Sequence, residues 1–520
     1  MKNWIYPVAG AIFGCVLASS AWANDENAQV APLPGAVQQT AGNEDFLPFN
    51  QHGQGGAAVV QSQSASLVAA QSVAGEPPAA EPGKDAKEEA KPEEPKPWTM
   101  PQPCFLKEHG WTIGGWLDAG MTFNGAYPSD GYNSPVGFND LNQQPQINQL
   151  YLTINKAVDT KGCGIDFGGS FDVMYGTDAR FTQGNGLETA GNPTATVFPG
   201  PSFPLQNFNY ANSPYRFALQ QAYFDLGIND LTIRTGHMVT NLGAETIDPR
   251  TNFFYSHSYT FLYGIPYTHT GMMFTYKFDD EWTAMTGIQT GENQFDYSPA
   301  SALPGTNFTG SGAPAAAPGQ YQHLGYLGGL TWTDPCKKGN INLQMSLSED
   351  QNNFSGFNSL PASGLADSVL QLTAIGTYNV SDKLTYIAEG TYGAMQDPVD
   401  GTASWYGINQ YFKYTINDKW AAGLRCEWFQ DASGVVVYNP EMLSLNTVSN
   451  GLRPVSFPGN FYEITAGLNW KPNLNVTLRP EVRYDWSDAV GTAGATTVLP
   501  YNAGASASQF LFAVDAILTF

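Results

Sequence analysis

The sequence predicts an all-β fold, an antiparallel transmembrane β-barrel of about sixteen strands behind a disordered N-terminal tail. Three observations carry this. Segments of about ten residues alternate apolar and polar positions, short polar turns alternate with long Gly/Pro/Asn-rich connections, and the C-terminal segment is amphipathic and aromatic.

Residues 1–23 read as a signal peptide. Lys2 is followed by a short apolar stretch from Val8 to Ala18 and then by Ala21-Trp22-Ala23, the small-x-small form that a signal peptidase cleaves. The stretch is too short to span a bilayer, and no other segment offers about 18 consecutive apolar residues, so no transmembrane helix is expected. Lipidation of Cys15 is the alternative, disfavoured by the bulky Phe13 and by the Ala-x-Ala site just beyond. Residues 24–104 form an Ala/Pro/Glu-rich tail containing the charged run from Gly83 to Pro95. With hardly an aromatic side chain, it cannot bury enough apolar area to offset the entropy of ordering, so a disordered periplasmic tail is expected. The barrel is assigned to 105–520.

Past Gly110 the period becomes two. Candidate strands lie near 111–123, 146–157, 163–176, 216–228, 231–239, 268–278, 282–291, 321–332, 340–348, 369–380, 384–394, 404–415, 420–430, 461–470, 474–485 and 509–520. In the clearest, Leu474, Val476, Leu478, Val482 and Tyr484 share one face, while Asn475, Thr477, Arg479, Glu481, Arg483 and Asp485 share the other. A row of ionisable residues on one face suits a water-filled lumen better than the buried side of a soluble sandwich. Tight turns at Asn229-Asp230, Asp279 to Glu281, Ser381 to Lys383, Asn417 to Lys419 and Lys471 to Asn473 alternate with long connections at 177–215, 240–267, 292–320 and 431–460. Short turns on one rim and long loops on the other are expected of a barrel whose short turns face the periplasm. In the last segment Phe510, Phe512, Val514, Ala516, Leu518 and Phe520 fall on one face. That is the pattern of a lipid-facing closing strand, and it resembles the terminal signal read by the barrel-insertion machinery.

Composition agrees with a lipid-facing surface. Only 13% of residues are charged, against about 25% in ordinary soluble chains, while Tyr and Phe number 26 and 30. The net charge of -23 leaves no basic patch to neutralise phosphates, so no nucleic-acid partner is expected. An enzyme is not expected either, because the sequence has no Gly-x-Ser-x-Gly, His-Glu-x-x-His, phosphate loop or Cys-x-x-Cys. His257 or His269 beside a serine, and a calcium set of Asp178, Glu245 and Asp248, are the nearest approaches to a catalytic or metal site. Neither has a supporting motif; no cofactor and no metal are assigned. Beyond the signal peptide there are four cysteines, at 104, 163, 336 and 426. Cys104 and Cys163 fall on one stretch of the periplasmic rim and form the candidate disulfide; the alternative is four unpaired thiols.

The segments Asn148-Gln149-Leu150-Tyr151-Leu152 with Lys156-Ala157-Val158-Asp159, Tyr175 to Phe181, Asn252 to Tyr259, His269-Thr270-Gly271 and Trp332 to Cys336 give the chain a family resemblance. From about Trp111 to Phe520 it resembles the beta-barrel porin-2 family of OmpL-like outer-membrane porins. The resemblance implies a barrel in the bacterial outer membrane and porin activity, and names no solute.

The expected function is therefore a water-filled channel for passive diffusion of small hydrophilic solutes or ions. Its partners would be outer-membrane lipid and, as in many porins of this size, two further copies in a homotrimer. The alternative is a structural or surface-interaction barrel with a plugged lumen and an envelope-tethering tail. By alternation the pore lining should include Arg234, Lys277, Glu389, Lys413, Arg425, Glu427, Glu463, Arg479, Glu481, Arg483, Asp485 and Asp515. A bare barrel of this size would be too wide to select among small solutes, so something must fold inward. The connection 240–267 is the candidate, since a stretch as aromatic as Asn252 to Phe261 would make a poor free loop in water. Ahead of that stretch, Glu245, Asp248 and Arg250 are expected to project into the constriction opposite Arg479 and Arg483 and to set up a transverse field. The connection 177–215, with Asp178 and Arg180, is the next candidate.

Overall fold

Alternation in the sequence reappears as alternation in burial. Along the strand Val476–Ser487, Arg479, Glu481, Arg483 and Asp485 are buried, whereas Val482 and Tyr484 are 39% and 44% exposed on the opposite face. The structure is a computed structural model, and it describes residues 96–184, 188, 214–295, 324–350, 367–397, 401–448, 451–493 and 496–520. The expected signal peptide, the tail up to residue 95 and most of the connection 177–215 lie outside these residues.

The strands are β1 (Thr112–Asn124), β2 (Gln146–Lys156), β3 (Ile165–Gly176), β4 (Arg216–Ile228), β5 (Leu231–Val239), β6 (Thr268–Lys277), β7 (Trp282–Glu292), β8 (Gly325–Thr333), β9 (Gly339–Asp350) and β10 (Asp367–Asn379). They continue with β11 (Leu384–Asp397), β12 (Gly401–Asn417), β13 (Trp420–Asp431), β14 (Tyr438–Val448), β15 (Gly451–Ser456), β16 (Gly459–Asn473), β17 (Val476–Ser487), β18 (Gly491–Ala493), β19 (Thr496–Val498) and β20 (Ser508–Thr519). Sixteen of them close an antiparallel barrel in the order β1 to β13, β16, β17, β20, with β20 pairing back onto β1. All sixteen correspond to the strands expected from the sequence. The other four form two hairpins, β14-β15 and β18-β19, within connections that the sequence reading left as loops. Both belong to the long-loop rim, where Val436, Val437, Val455, Phe457, Ala489 and Tyr501 join Trp405, Phe429 and Phe461 of the barrel in one core.

The outer face carries two aromatic girdles, as the two membrane interfaces require. Near the short turns Phe167 lies 5.7 Å from Phe224 and Trp420 stacks on Trp470 at 5.6 Å. Toward the long loops Phe123 meets Phe512 at 6.0 Å and Tyr462 stacks on Trp486 at 5.3 Å.

Two side-chain amides hold the segment before β1 across the closing seam. Gln102 accepts from the Ile113 N–H at 2.8 Å and donates to the Ile113 carbonyl at 2.7 Å, which ties the segment to β1. Asn475, in the turn between β16 and β17, accepts from the Trp98 N–H at 2.8 Å and donates to the carbonyls of Trp98 and Thr519, each at 2.7 Å. Residues 98–102 thus join β1 to the β17–β20 side, next to the pair of backbone bonds between Gly115 and Phe520.

Two register shifts re-aim side chains toward the lumen. One between β1 and β2 at Asp118/Ala119 lets the adjacent Asn148 and Gln149 both turn inward; the other, between β3 and β4 at Asp172/Val173, buries the adjacent Gln220 and Gln221. Adding one residue to a strand breaks strict alternation locally.

Candidate pore and its inward-folded loop

The connection between β5 and β6 folds into the barrel. From Phe254 to Leu262 it is buried without interruption, and it ends in a π-helical turn at Thr260–Gly264. Two inward-facing glycines make room for it: a Cβ at Gly120 would lie 2.5 Å from the Tyr255 ring, and one at Gly423 would collide with Phe253. A second connection, 125–145, also packs inward, and Phe138 meets Phe181 at 4.8 Å, His257 at 4.6 Å and Phe261 at 5.5 Å.

Arginine and glutamate side chains of the wall hold the backbone of the 240–267 loop. Arg479 donates through Nη1 to the carbonyls of Pro249, Asn252 and Phe254 at 2.8 to 2.9 Å. Glu481 accepts from the N–H groups of Tyr255 and Ser256 at 2.9 and 3.1 Å, and Glu427 from those of Tyr259 and Thr260 at 2.6 and 2.7 Å. Arg425 donates to the Ser256 carbonyl at 2.7 Å, Arg483 to that of His257 at 2.5 Å, and Glu389 accepts from the Ala244 N–H at 3.1 Å. These ten bonds satisfy backbone groups that would otherwise sit unpaired in a buried segment.

The same cations are neutralised by carboxylates. Arg425 pairs with Glu463 and with Glu245, the latter at 2.8 Å; Arg479 pairs with Asp515; and Arg483 Nε lies 2.8 Å from Asp485. Glu245 further accepts from the Ser258 N–H at 3.1 Å and the Tyr411 hydroxyl at 3.0 Å, and its Oε2 is 2.9 Å from His257 Nδ1. Burial disfavours the charged form of this carboxylate, but Arg425 and His257 beside it more than offset that and hold it down at about 2. Burial pushes His257 below its ordinary value, so its contact with Glu245 is a hydrogen bond from a neutral ring.

Arg234 forks onto Asp225 at 2.8 and 2.9 Å and stacks 3.7 Å over the Tyr223 ring. Lys413 lines a small cavity with Glu245, Phe253 and Tyr411. Lys277 lies at the periplasmic rim, paired with the turn residue Asp280 at 2.7 Å, and not at mid-depth in the lumen. The expected transverse field does not form. Asp248 and Arg250 pair with each other at 2.7 Å, Arg250 stacks 3.9 Å over Trp116, and Arg479 and Arg483 contact loop carbonyls where open water was expected opposite Glu245. Buried charges lower their energy by pairing at contact distance, and the loop comes close enough to allow it. The disulfide expected between Cys104 and Cys163 is not formed either: both are exposed free thiols, as is Cys336, and Cys426 is half-buried on the outer face. Among the described residues no three His, Cys, Asp or Glu side chains are grouped to hold a metal ion.

Sequence reasoning missed the 125–145 loop, whose Asp140 pairs with Arg180 at 2.7 Å. Asp178, expected with Arg180 as the next constriction candidate, accepts from Asn148 at 2.8 Å and Gln149 at 2.9 Å. The apolar run Pro135-Val136-Gly137-Phe138 inside a polar loop was the available signal.

The profile of the family described as "Putative beta-barrel porin-2, OmpL-like" matches residues 110–520. The chain belongs to this family. It is a porin of the bacterial outer membrane, and the porin-2 match begins just ahead of β1 and leaves out the preceding tail. Among solved structures this porin is similar to the outer membrane channel DcaP of Acinetobacter baumannii, at 11% identity over 79% of this chain and 97% of that one, with a TM-score of 0.45. It is also similar to an anion-selective porin from Comamonas acidovorans (10% identity, 79% and 99% covered, TM-score 0.46) and to Pseudomonas putida OprB (14%, 80% and 96%, 0.44). No curated protein matches the sequence.

Proposed function

We propose that the lumen conducts small hydrophilic solutes by passive diffusion, without a catalytic step, and that the 240–267 loop sets its width. The observation that carries this reading is the docking of the loop by ten hydrogen bonds from arginine and glutamate side chains of the wall, which narrows the barrel while leaving its strands intact. Barrels of about sixteen strands belong to the size class that encloses an aqueous channel. In planar bilayers the purified protein should give stepwise conductance, and deleting Gly243 to Arg250 should raise it. No conductance at any voltage overturns the channel; unchanged conductance in an assembled deletion variant moves the constriction to another loop.

The inward packing of Phe138 and its neighbours favours one second reading, a plugged barrel whose tail tethers the envelope. On that reading, removing residues 24–100 weakens the envelope, whereas a porin keeps its conductance. The homotrimer expected for this size class belongs to the first reading, and crosslinking in native membranes tests it.

A further inference from the structure

The charges of the barrel are distributed unevenly around it. All ten arginine and glutamate anchors of the loop backbone lie on β11, β13 and β17, and none on β6 to β10. Between Lys277 at the periplasmic ends and Glu292, Glu349, Asp350 and Asp367 at the extracellular ends, β6 to β10 contain no Asp, Glu, Lys or Arg. Their inward positions at mid-depth carry amides and hydroxyls beside the apolar Met285, Leu327 and Ile375, and the polar groups bond to one another, Gln289 to Ser346 at 2.9 Å, Thr331 to Asn342 at 2.7 Å and Thr373 to Gln344 at 3.3 Å, with Ser346 also donating to Glu292 at 2.9 Å. On β7 and β8 the inward series includes Gly287 and Gly329, which add no side-chain bulk to the lumen.

Elsewhere the arginines of the interior are matched by acids at contact distance. Arg425, Arg479 and Arg483 are paired as described, and Arg180, Arg234 and Arg250 pair with Asp140, Asp225 and Asp248 at 2.7 to 2.8 Å. A cation so paired presents little field to a passing solute, and the wall of β6 to β10, which meets the loop through uncharged contacts such as Met285 with Asn241 and Ile375 with Phe254, has no Asp, Glu, Lys or Arg of its own at mid-depth.

Resting on the channel reading, we propose that the permeation route follows the uncharged wall of β6 to β10 and that this porin favours uncharged, hydroxyl-rich solutes of the polyol and small-sugar class over ions of the same size. An ion entering a narrow passage gives up part of its hydration shell, and neutral dipoles replace that poorly unless a counter-charge is present. A polyol exchanges its bonds to water for bonds to amides and hydroxyls nearly one for one.

The experiment is uptake into proteoliposomes of sorbitol, gluconate and glucosamine, three six-carbon solutes of similar size that are neutral, anionic and cationic. Sorbitol should enter about threefold or more faster than either charged solute. Either of them entering as fast as sorbitol overturns the proposal while leaving the channel standing. Uptake of none above protein-free liposomes overturns the channel reading and the proposal with it. Asn342→Asp with Gln344→Glu should then raise glucosamine uptake relative to gluconate in a barrel that keeps its heat-modifiable mobility; Thr373→Asp, a single change on the same wall, serves if the double variant does not assemble. An unchanged ratio in an assembled variant shows that the route does not follow this wall.

Discussion

Replacing Arg479 by alanine tests the docking of the inward loop most directly. Its guanidinium holds three loop carbonyls through Nη1 and Asp515 through Nε and Nη2, and the side chain is 3% exposed. Each charge-assisted bond contributes about 1.5–3 kcal/mol, and removing one partner of a buried ion pair costs about 3–5 kcal/mol because the remaining charge stays buried. These terms overlap and do not add, so a loss of about 3–5 kcal/mol in docking is expected, a shift of about 100- to 4,000-fold toward the undocked loop. Seven of the ten anchors remain, so the loop should loosen first around Pro249 to Phe254 and remain held near Tyr259. Arg479→Lys should rescue only in part, since one ammonium cannot serve both a forked carboxylate and three carbonyls. The assay pairs single-channel conductance with hydrogen exchange of the Arg250 and Thr251 amides, which are bonded within the stretch that Arg479 holds. Conductance should rise and become noisier, and both amides should lose protection. A correctly assembled Arg479→Ala barrel with wild-type conductance and exchange would refute the claim that this residue docks the loop.

Glu245 is held at about 2, below its ordinary 4.5, so its contribution to docking is complete above pH 4.5 and is lost only as the pH falls toward 2. The difference in conductance between the wild type and Glu245→Gln should therefore stay constant from pH 7 to pH 4.5 and shrink only below that, and a step between pH 5 and 7 that disappears in Glu245→Gln would contradict this. On the outer face, Val482→Arg near the middle of β17 should cost about 2–4 kcal/mol, whereas Val476→Arg at its periplasmic end should cost about 0–1. Urea midpoints in liposomes check the ranking. At the closing seam, Gln102→Ala with Asn475→Ala removes bonds to Ile113, Trp98 and Thr519 and should lower the temperature at which the barrel loses its compact mobility on gels. No change would mean that residues 98–102 lie on the rim without holding the seam.

The barrel was legible because its signals are local. Side chains of a strand alternate with period two whatever that strand pairs with, so the row from Val476 to Ser487 reveals its own two faces. Turn length likewise assigns each rim without reference to the opposite wall. The two extracellular hairpins were not legible, because their strands lie beyond the membrane band, where no lipid face imposes alternation on the sequence.

The chain by itself determined the alternation of charged and apolar faces along strands such as β17, the placement of the sixteen barrel strands and the presence of an aromatic loop long enough to enter the lumen. Only the tertiary structure decided what those inward charges do. Arg425 meets Glu245 across 180 residues of sequence and Arg479 meets Pro249 across 230, distances over which no periodicity carries information. The bulge that turns both Asn148 and Gln149 inward also escapes a period-two reading, since one added residue shifts the phase. An ionisable residue on a lumen face can serve a water-filled pore or a docked loop, and alternation is the same in both. The difference arises when the barrel closes and brings the loop within hydrogen-bond reach of β11, β13 and β17, so that buried charges pair there.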